Sequence, residues 1–321
     1  MNDSETKNLS KITTQTHAGL RWADVRNPNS ETFAQLAKDY NLHPLHLAES
    51  IQKVQHTQVE REDNYLFLVL HFPVFESHSA KIFAGQIGVF LGKDFLITIH
   101  ANHSPFIQDV FTESQRSPER ADHYMGKGPA YLLYVLISKL LGSIEAISDI
   151  VEGELDGIEG LVFENNTSDA QRIGRIRQKI VRLRRLIGPK RSLLKDLAEQ
   201  ISTFSSQDFS KQYHNNVKMV DRLWESIEEA KETVEIYKDA DFTTSTEKTN
   251  KILMLLTLVF TFTIPISIVA AIYGMNVPLP GGIETGAWHF WGAYTSFGIV
   301  VAFSLLLALA MYLYFKKRKW F

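Results

Sequence analysis

Cysteine is absent from this chain of 321 residues, so disulfide bonds and thiolate metal sites are excluded. The first eleven residues lack the apolar segment of a secretory signal peptide, so none is expected. Neither Gly-x-Ser-x-Gly, His-Glu-x-x-His nor a phosphate-binding loop sequence occurs, and no enzyme site is predicted. The formal net charge of −2 gives no indication of a nucleic-acid partner.

Charged residues are missing from two long stretches near the C-terminus. Neither residues 252–273 nor residues 290–315 include Asp, Glu, Lys, Arg or His. Each stretch exceeds the roughly 20 apolar residues that cross a bilayer core of about 30 Å, so we predict two transmembrane helices. The alternative is a pair of buried core helices, which usually keep a polar face. The first 250 residues have no such run and are predicted to form a large cytosolic domain.

The positive charges around the spans predict the orientation in the membrane. Residues 316–319 are all Lys or Arg, whereas the connecting loop, residues 276–289, contains neither. By the positive-inside rule, the C-terminus is cytoplasmic and the loop lies outside. Two spans then place the N-terminus in the cytoplasm as well. We therefore expect a multi-pass protein of the cell's inner or plasma membrane.

The cytosolic part combines strand and helix signals. Apolar runs at residues 65–70, 86–91 and 95–99 predict strands, and the last two are joined by a hairpin-like turn at residues 92–94. Asn29 is a plausible start for a short helix. Residues 1–128 are therefore predicted to form an α+β domain.

Residues 129–204 are predicted to form a helical hairpin divided by charge. Residues 145–169 include eight acidic residues and no Lys or Arg, whereas residues 172–195 are strongly basic. Opposite charges favour antiparallel pairing of the two helices, with a turn at residues 165–168, although exposed ion pairs contribute little each. The alternative is that the basic helix contacts anionic lipid or nucleic acid.

A third helical segment is predicted from about Asp208. Neither Pro nor Gly occurs between Phe209 and Pro265, so one helix of about 100 Å is expected to continue into the first span. We interpret its apolar stripe as unpaired within one chain, which predicts packing against further copies. We interpret its acidic residues as a mostly solvated face. The stripe consists of Val217, Val220, Leu223, Ile227, Ala230, Val234 and Tyr237, and the acidic residues are Asp221, Glu225, Glu228, Glu232 and Asp239.

One face of the first span has polar ends and an apolar centre. At about 100° per residue, eight residues fall within an arc of about 120°. They are Asn250, Leu253, Leu256, Phe260, Ile264, Ser267, Ala271 and Gly274. If this arc lines a channel, its apolar rings can gate by dewetting. The alternative is an ordinary contact face with lipid or another helix.

The residues at the exit of this span, Tyr273, Gly274, Met275 and Asn276, suggest metal chemistry. Gly274 allows the backbone to turn and expose carbonyl oxygens, and Asn276 offers a neutral amide oxygen. Mg²⁺ gives up its water reluctantly and prefers octahedral oxygen coordination. A ring of neutral oxygens can therefore hold the waters of a hydrated cation without dehydrating it.

These features resemble the CorA family of magnesium and cobalt transporters, whose signature is Gly-Met-Asn after the first span. The likeness covers nearly the whole chain. It includes residues 42–45, 63–68, 92–98, 128–133, 249–251 and 274–276, Pro265, and the basic residues before Trp320.

The resemblance implies a funnel-shaped homopentamer. Each chain would have an α+β cytosolic domain, a helical hairpin, a very long stalk helix continuing into the first transmembrane helix, and a second transmembrane helix. The corresponding boundaries are 1–128, 129–204, 205–275, 276–289 for the outer loop, 290–315, and 316–321 for the basic tail. No cofactor is implied apart from Mg²⁺ as the transported and regulatory ion.

The resemblance also implies functional residues. Pore-lining roles fall on Asn250, Leu253, Leu256, Ile264 and Ser267. The selectivity filter falls on Gly274, Met275 and Asn276, with metal contacts at Gly274 and Asn276. Asp239, Asp241 and Glu284 are further candidates for attracting or contacting metal.

The chain departs from the family pattern at several positions. Ala48 replaces an acid that usually precedes Glu49, and residues 101–103 stand where acids of a regulatory metal site often occur. The spacing of His43 and His46, and of His100 and His103, is also found in zinc sites, but no third ligand follows in register. The outer loop, residues 278–284, also differs from the family pattern, which leaves the choice of ion open. Two alternatives therefore remain, a zinc-type relative with proton coupling and a two-span scaffold. A scaffold would need neither the signature nor the polar-tipped arc.

Overall fold

The computed structural model describes residues 10–52, 57–75, 82–101, 104–160, 170–205, 207–275, 286, 288–292 and 294–317. The chain divides into an N-terminal unit, Met1–Asp241, and a C-terminal unit, Phe242–Phe321, with the division inside one helix. The strands are β1 (Lys11–His17), β2 (Leu20–Arg26), β3 (Gln58–Arg61), β4 (Tyr65–Phe75), β5 (Ile82–Gly92) and β6 (Phe95–His100). The helices are α1 (Ser30–Tyr40), α2 (Pro44–Glu49), α3 (Pro105–Arg116), α4 (Pro118–Met125), α5 (Pro129–Glu159), α6 (Ala170–Gln200), α7 (Ser210–Tyr273) and α8 (Thr295–Lys317).

The six strands form one mixed sheet in the order β1-β2-β6-β5-β4-β3. Only β2 and β6 are parallel neighbours, and the other pairs are antiparallel. The predicted turn between β5 and β6 is present and leaves two residues, Lys93 and Asp94, between the strands. Strand β1 was not predicted because it is an edge strand without a buried side chain, so its sequence lacks the apolar alternation of a half-buried strand.

The sheet is buried on both faces, as the alternation along β4 shows. Tyr65, Phe67 and Val69 belong to one core with residues of α1 and α2. Leu66 and Leu68 belong to the other core, which extends through α3 to α7. Side chains alternate across a strand, so this continuous apolar run supplies both cores. The predicted α+β domain is confirmed.

Within the part of the chain that the structure describes, three helices have the length and composition of a membrane span, and two of them have the exposure of one. The most apolar stretch of α5 is 56% buried inside the protein, whereas the corresponding stretches of α7 and α8 are 0% and 6% buried. Helix α5 is therefore a core helix of the N-terminal unit. The exposed apolar surfaces of α7 and α8 agree with the two predicted spans.

Helices α5, α6 and α7 pack side by side in the N-terminal unit. Ser138 bonds Asn216 at 2.8 Å and Ser148 contacts Ser226 at 3.1 Å, both across 78 residues, so α5 and α7 run in the same direction. Helix α6 runs in the opposite direction, as the predicted hairpin requires. The predicted turn at residues 165–168 lies outside the described residues.

The basic residues of α6 pair mainly with α7, and only partly with α5 as expected. Across α5 and α6, Lys179 contacts Glu154 at 2.6 Å. Three arginines spaced by seven residues instead contact three acidic residues of α7 that are spaced by seven in the reverse direction. The pairs are Arg177–Glu235, Arg184–Glu228 and Arg191–Asp221. Part of the face that we expected to be solvated therefore carries ion pairs, and the matching heptad spacing was the sequence signal for them.

The interpretation of the α7 stripe as unpaired is wrong. Every residue of the stripe from Val217 to Tyr237 is buried within a single chain, because α5 and α6 cover it. At the start of the stripe, the buried hydroxyl of Tyr213 also donates a 2.7 Å hydrogen bond to the carbonyl of Ala130 in α5. The stripe therefore provides no argument for an oligomer.

One lysine of α6, Lys190, is fully buried. Its Nζ donates to the carbonyl of Leu186 at 2.5 Å, and burial lowers its pKa to about 7. Because the folded pKa lies below the unfolded value, the unfolded chain binds more protons between about pH 7 and 10.5. The free energy of unfolding therefore decreases as the pH falls from about 10.5 toward 7, by on the order of 5 kcal/mol.

Lys190→Met is expected to stabilise the protein at pH 7, because it removes the penalty of a buried amine. Thermal unfolding in detergent at pH 7 to 10 should show a smaller rise of Tm with pH than in the parent. Lys195→Met is the matched control because Lys195 is an exposed residue of the same helix. Equal pH slopes in the two variants would contradict the assigned pKa of Lys190.

Candidate functional site

The predicted pore-lining residues all lie on the C-terminal half of α7. Each is exposed within a single chain: Asn250, Leu253, Leu256, Ile264 and Ser267. The helix is continuous from Ser210 to Tyr273, so their spacings of three and eight residues keep them on one side. An apolar surface of this size must be covered by lipid or by other protein.

Hydroxyl groups on this part of α7 are bonded to the helix itself. Thr257 Oγ1 donates to the carbonyl of Leu253 at 2.8 Å, and Thr263 Oγ1 donates to that of Val259 at 2.7 Å. Such internal bonds suit a bilayer, where water cannot satisfy polar groups. They also leave the threonine methyl groups as the outward surface. Pro265 lies inside the helix, which is tolerated in membrane helices.

Helix α7 ends at Tyr273, next to the signature residues. The N–H of Gly274 still donates to the carbonyl of Ala270 at 2.9 Å, and the N–H of Met275 donates to that of Ile272 at 3.2 Å. Gly274 lies in the turn that follows the helix, with a backbone conformation outside the left-handed region that favours glycine. A Cβ atom at Gly274 would lie 3.3 Å from the Ala270 carbonyl, which indicates tight space. Asn276 lies outside the described residues, as does Glu284.

The two candidate carboxylates before the span differ in exposure. The side chain of Asp239 is 78% exposed, and its carboxylate lies 3.6 Å from Lys238 Nζ. Asp241 is buried within the N-terminal unit, at 8% exposure. Of the two, Asp239 is the one open to ions in solution.

The histidines considered for zinc have other contacts. The ring nitrogens of His46 lie 2.8 Å from the Tyr65 hydroxyl and 3.0 Å from Glu60, and the ring of His43 caps α2. His100 contacts the buried Asp24 at 3.1 Å, and hydrogen bonding to His100 helps to hold the pKa of that carboxyl below its usual value against the opposing effect of burial. His103 lies outside the described residues, and those that are described form no cluster of three metal-ligating side chains.

Aromatic residues mark the start of the second apolar helix. Phe290, Trp291 and Tyr294 are all more than four-fifths exposed and directly precede α8. Thr295 starts the helix, with its Oγ1 accepting from the Trp291 N–H at 3.0 Å. Aromatic side chains of this kind are enriched at membrane–water interfaces. The last turn of α8 contains Lys316 and Lys317. Together, these features define a membrane protein with two spans that follow a large α/β unit.

Comparison with known proteins identifies the particular family. Residues 17–317 match the family described as CorA-like Mg2+ transporter protein, and the chain belongs to this family. The chain is 26% identical over 300 residues to the "Cobalt/magnesium transport protein CorA" of Thermotoga maritima, covering 91% of this chain and 80% of the relative. It is 21% identical over 308 residues to the protein of the same name from Methanocaldococcus jannaschii, covering 94% and 91%.

A solved structure supports the fold independently of close sequence similarity. "The complete structure of CorA magnesium transporter from Methanocaldococcus jannaschii" aligns with a TM-score of 0.76 at 19% identity, covering 98% of this chain and 95% of that chain. At this identity, the match establishes the architecture of an α/β unit, a long helix and transmembrane helices.

Proposed function

We propose that this protein conducts divalent metal cations, chiefly Mg²⁺, across a membrane through a pore lined by α7. The observation that carries the proposal is the exposed arc of α7, which leads to the Gly-Met-Asn sequence where the helix ends. Membership of a family described as Mg²⁺ transporters supports it. Mg²⁺ is the proposed substrate. Regulation by cytosolic Mg²⁺ is a further part of the proposal, although residues 101–103 lack the acids that often form such a site in the family. Co²⁺ and Ni²⁺ are further substrates to be tested.

The chemistry of the arc suits a hydrated cation. Asn250 and Ser267 present neutral oxygen-bearing side chains, while Leu253, Leu256 and Ile264 lie between them. Neutral oxygens can hold the water shell of Mg²⁺ without removing it, because this ion dehydrates reluctantly. The leucine rings close the path by dewetting, and conduction requires that contacts remain weak enough for release. Asn276 and Gly274 would meet the ion at the opposite end from Asn250.

The proposed orientation places both termini in the cytoplasm. Lys316 and Lys317 end α8 and are followed by two more basic residues, whereas the loop between the spans contains no Lys or Arg. Under the positive-inside rule, Asn276 faces the outside and Asn250 lies at the cytoplasmic end of the span. Asp239, exposed and ahead of the span, would then attract cations on the cytoplasmic side.

The pore requires several copies, and we expect five. The exposed arc in the membrane unit and the family resemblance support several copies. The stripe of the N-terminal unit does not, because it is covered within the chain. Mass measurement of the purified protein in mild detergent should give a closed pentamer. A monomer or dimer under those conditions would contradict a pore shared between copies.

Metal uptake by proteoliposomes tests the function directly. Vesicles containing the protein should accumulate Mg²⁺ when a concentration gradient or an inside-negative potential is imposed, and empty vesicles should not. Parallel assays with Co²⁺, Ni²⁺ and Zn²⁺, each with and without a proton gradient, distinguish the proposed Mg²⁺ channel from the zinc-type alternative. Proton-dependent uptake of Zn²⁺ without Mg²⁺ uptake would favour the zinc type. Failure to transport any of the four ions would favour the scaffold.

A further inference from the structure

An exposed aromatic side chain lies in the polar segment just before the first span. Residues 243–251 are all Thr, Ser, Asn, Glu or Lys, and Phe242 directly precedes them. The side chain of Phe242 is nevertheless 72% exposed within the chain. A large apolar side chain is therefore exposed in a segment that otherwise consists of polar residues.

Phe242 shares the direction of the proposed pore face. It precedes Leu253 by eleven residues, which corresponds to about 20° around a helix of 100° per residue, and precedes Phe260 by five full turns. Both of those residues are also exposed. The arc of residues from Asn250 to Gly274 therefore continues toward the N-terminus as far as Phe242.

The turns between Phe242 and the leucine rings present methyl groups on this face. Thr246 Oγ1 donates to the carbonyl of Phe242 at 2.8 Å, and Thr249 Oγ1 donates to that of Ser245 at 3.0 Å. Both threonines fall within the same arc, at four and seven residues after Phe242. Because their hydroxyls are directed to the backbone, the face offers few groups that could hold water. Asn250 is the polar exception before Leu253.

We propose that Phe242 forms an aromatic constriction in the ion pathway, in series with the rings of Leu253 and Leu256. This inference rests on the proposed function, since a constriction needs copies of α7 around a common axis. Phenyl rings arranged in this way resist wetting in the same manner as the leucine rings. Asn250 lies between the two apolar zones, where its amide oxygen can hold the waters of a cation that has passed one constriction and waits at the other.

The absence of native cysteine provides a clean test. Phe242→Cys places a thiol at the proposed constriction. Thr244→Cys is the matched control, because two residues further along the helix the side chain points about 160° away. Both variants are reconstituted, treated with a positively charged methanethiosulfonate reagent and assayed for Mg²⁺ influx. Gel-shift labelling measures how completely each thiol has reacted.

The reagent is expected to lower influx through Phe242→Cys to near the level of empty vesicles and to leave Thr244→Cys unchanged. Thr249→Cys, on the same face, should also be blocked. Oxidation should link Phe242→Cys chains into disulfide-bonded pairs more readily than Thr244→Cys chains, because only the first brings its thiols together around the axis.

Undiminished influx through fully modified Phe242→Cys would overturn the inference, and so would equal inhibition of Phe242→Cys and Thr244→Cys. These results leave the proposed function intact when the untreated variants transport Mg²⁺. If neither the parent nor any untreated variant transports a divalent cation, the proposed function itself fails.

Discussion

Asn276→Ala is expected to reduce Mg²⁺ uptake on the order of 100-fold while leaving assembly unchanged. The methyl group of alanine cannot accept hydrogen bonds from the waters of the incoming ion. Loss of two or three such bonds, at about 1 kcal/mol each, is sufficient for an effect of this size. In sequence, Asn276 follows the end of α7 at the predicted membrane surface, where we expect truncation to remove little packing. Initial rates of Mg²⁺ influx into proteoliposomes provide the measurement.

Asn276→Asp separates oxygen chemistry from charge at the same position. The carboxylate keeps an oxygen at the filter but binds cations more tightly. Because bound cations then leave slowly, we expect a transport rate well below that of the parent. Detergent-solution mass and thermal unfolding should be indistinguishable among the parent, Asn276→Ala and Asn276→Asp. If Asn276→Ala assembles normally and transports like the parent, the filter lies elsewhere and the central assignment of the signature is wrong.

Leu256→Asp is expected to produce the opposite effect, a large rise in basal flux at high cytosolic Mg²⁺. Leu256 is exposed on the arc of α7, next to Leu253 one turn away. A ring of carboxylates in place of leucines would wet the constriction and remove the barrier to a hydrated ion. The measurement is Mg²⁺ efflux from preloaded proteoliposomes under conditions that keep the parent closed.

A second pair of variants controls for the introduced charge. Leu256→Asn is also polar but uncharged, so it should raise basal flux by a smaller amount if wetting is the cause. Leu255→Asn is the matched control, because Leu255 is exposed on the same helix about 100° away from Leu256. If both Leu256 variants have normal oligomer mass and the flux of the parent, Leu256 does not form the gate.

The fold could be predicted largely from sequence because its signals are local. Charge-free stretches of more than 20 residues predict the membrane spans wherever they occur. The absence of Pro and Gly between Phe209 and Pro265 predicts the continuous helix α7, which runs from Ser210 to Tyr273. Apolar runs predict β4, β5 and β6, and the Asn29 side chain caps α1 by accepting from the Thr32 N–H at 2.8 Å.

The apolar periodicity of α7 did not identify its partners, because periodicity shows which face is buried without showing what covers it. Only the charge spacing along α6 and α7 carried a signal of their pairing. The stripe from Val217 to Tyr237 suits a neighbouring copy as well as a helix of the same chain. In the structure, α5 and α6 cover it, and arginines 177, 184 and 191 pair with α7. Asp239 and Asp241 show the same limit of sequence patterns. They are two residues apart on one helix, yet Asp239 is exposed and Asp241 is buried.

The sequence by itself determined the two spans, the continuous helix between the units and the Gly-Met-Asn signature at its end, since each depends on residue type and spacing along one segment. Only the tertiary structure decided that α5, which is apolar enough to cross a membrane, is a core helix. It also decided that the α7 stripe from Val217 to Tyr237 is buried within the chain. It also decided that Lys190 is buried while Phe242 is exposed. The physical reason is that burial depends on what packs against a surface, and those contacts join residues that are far apart in the chain.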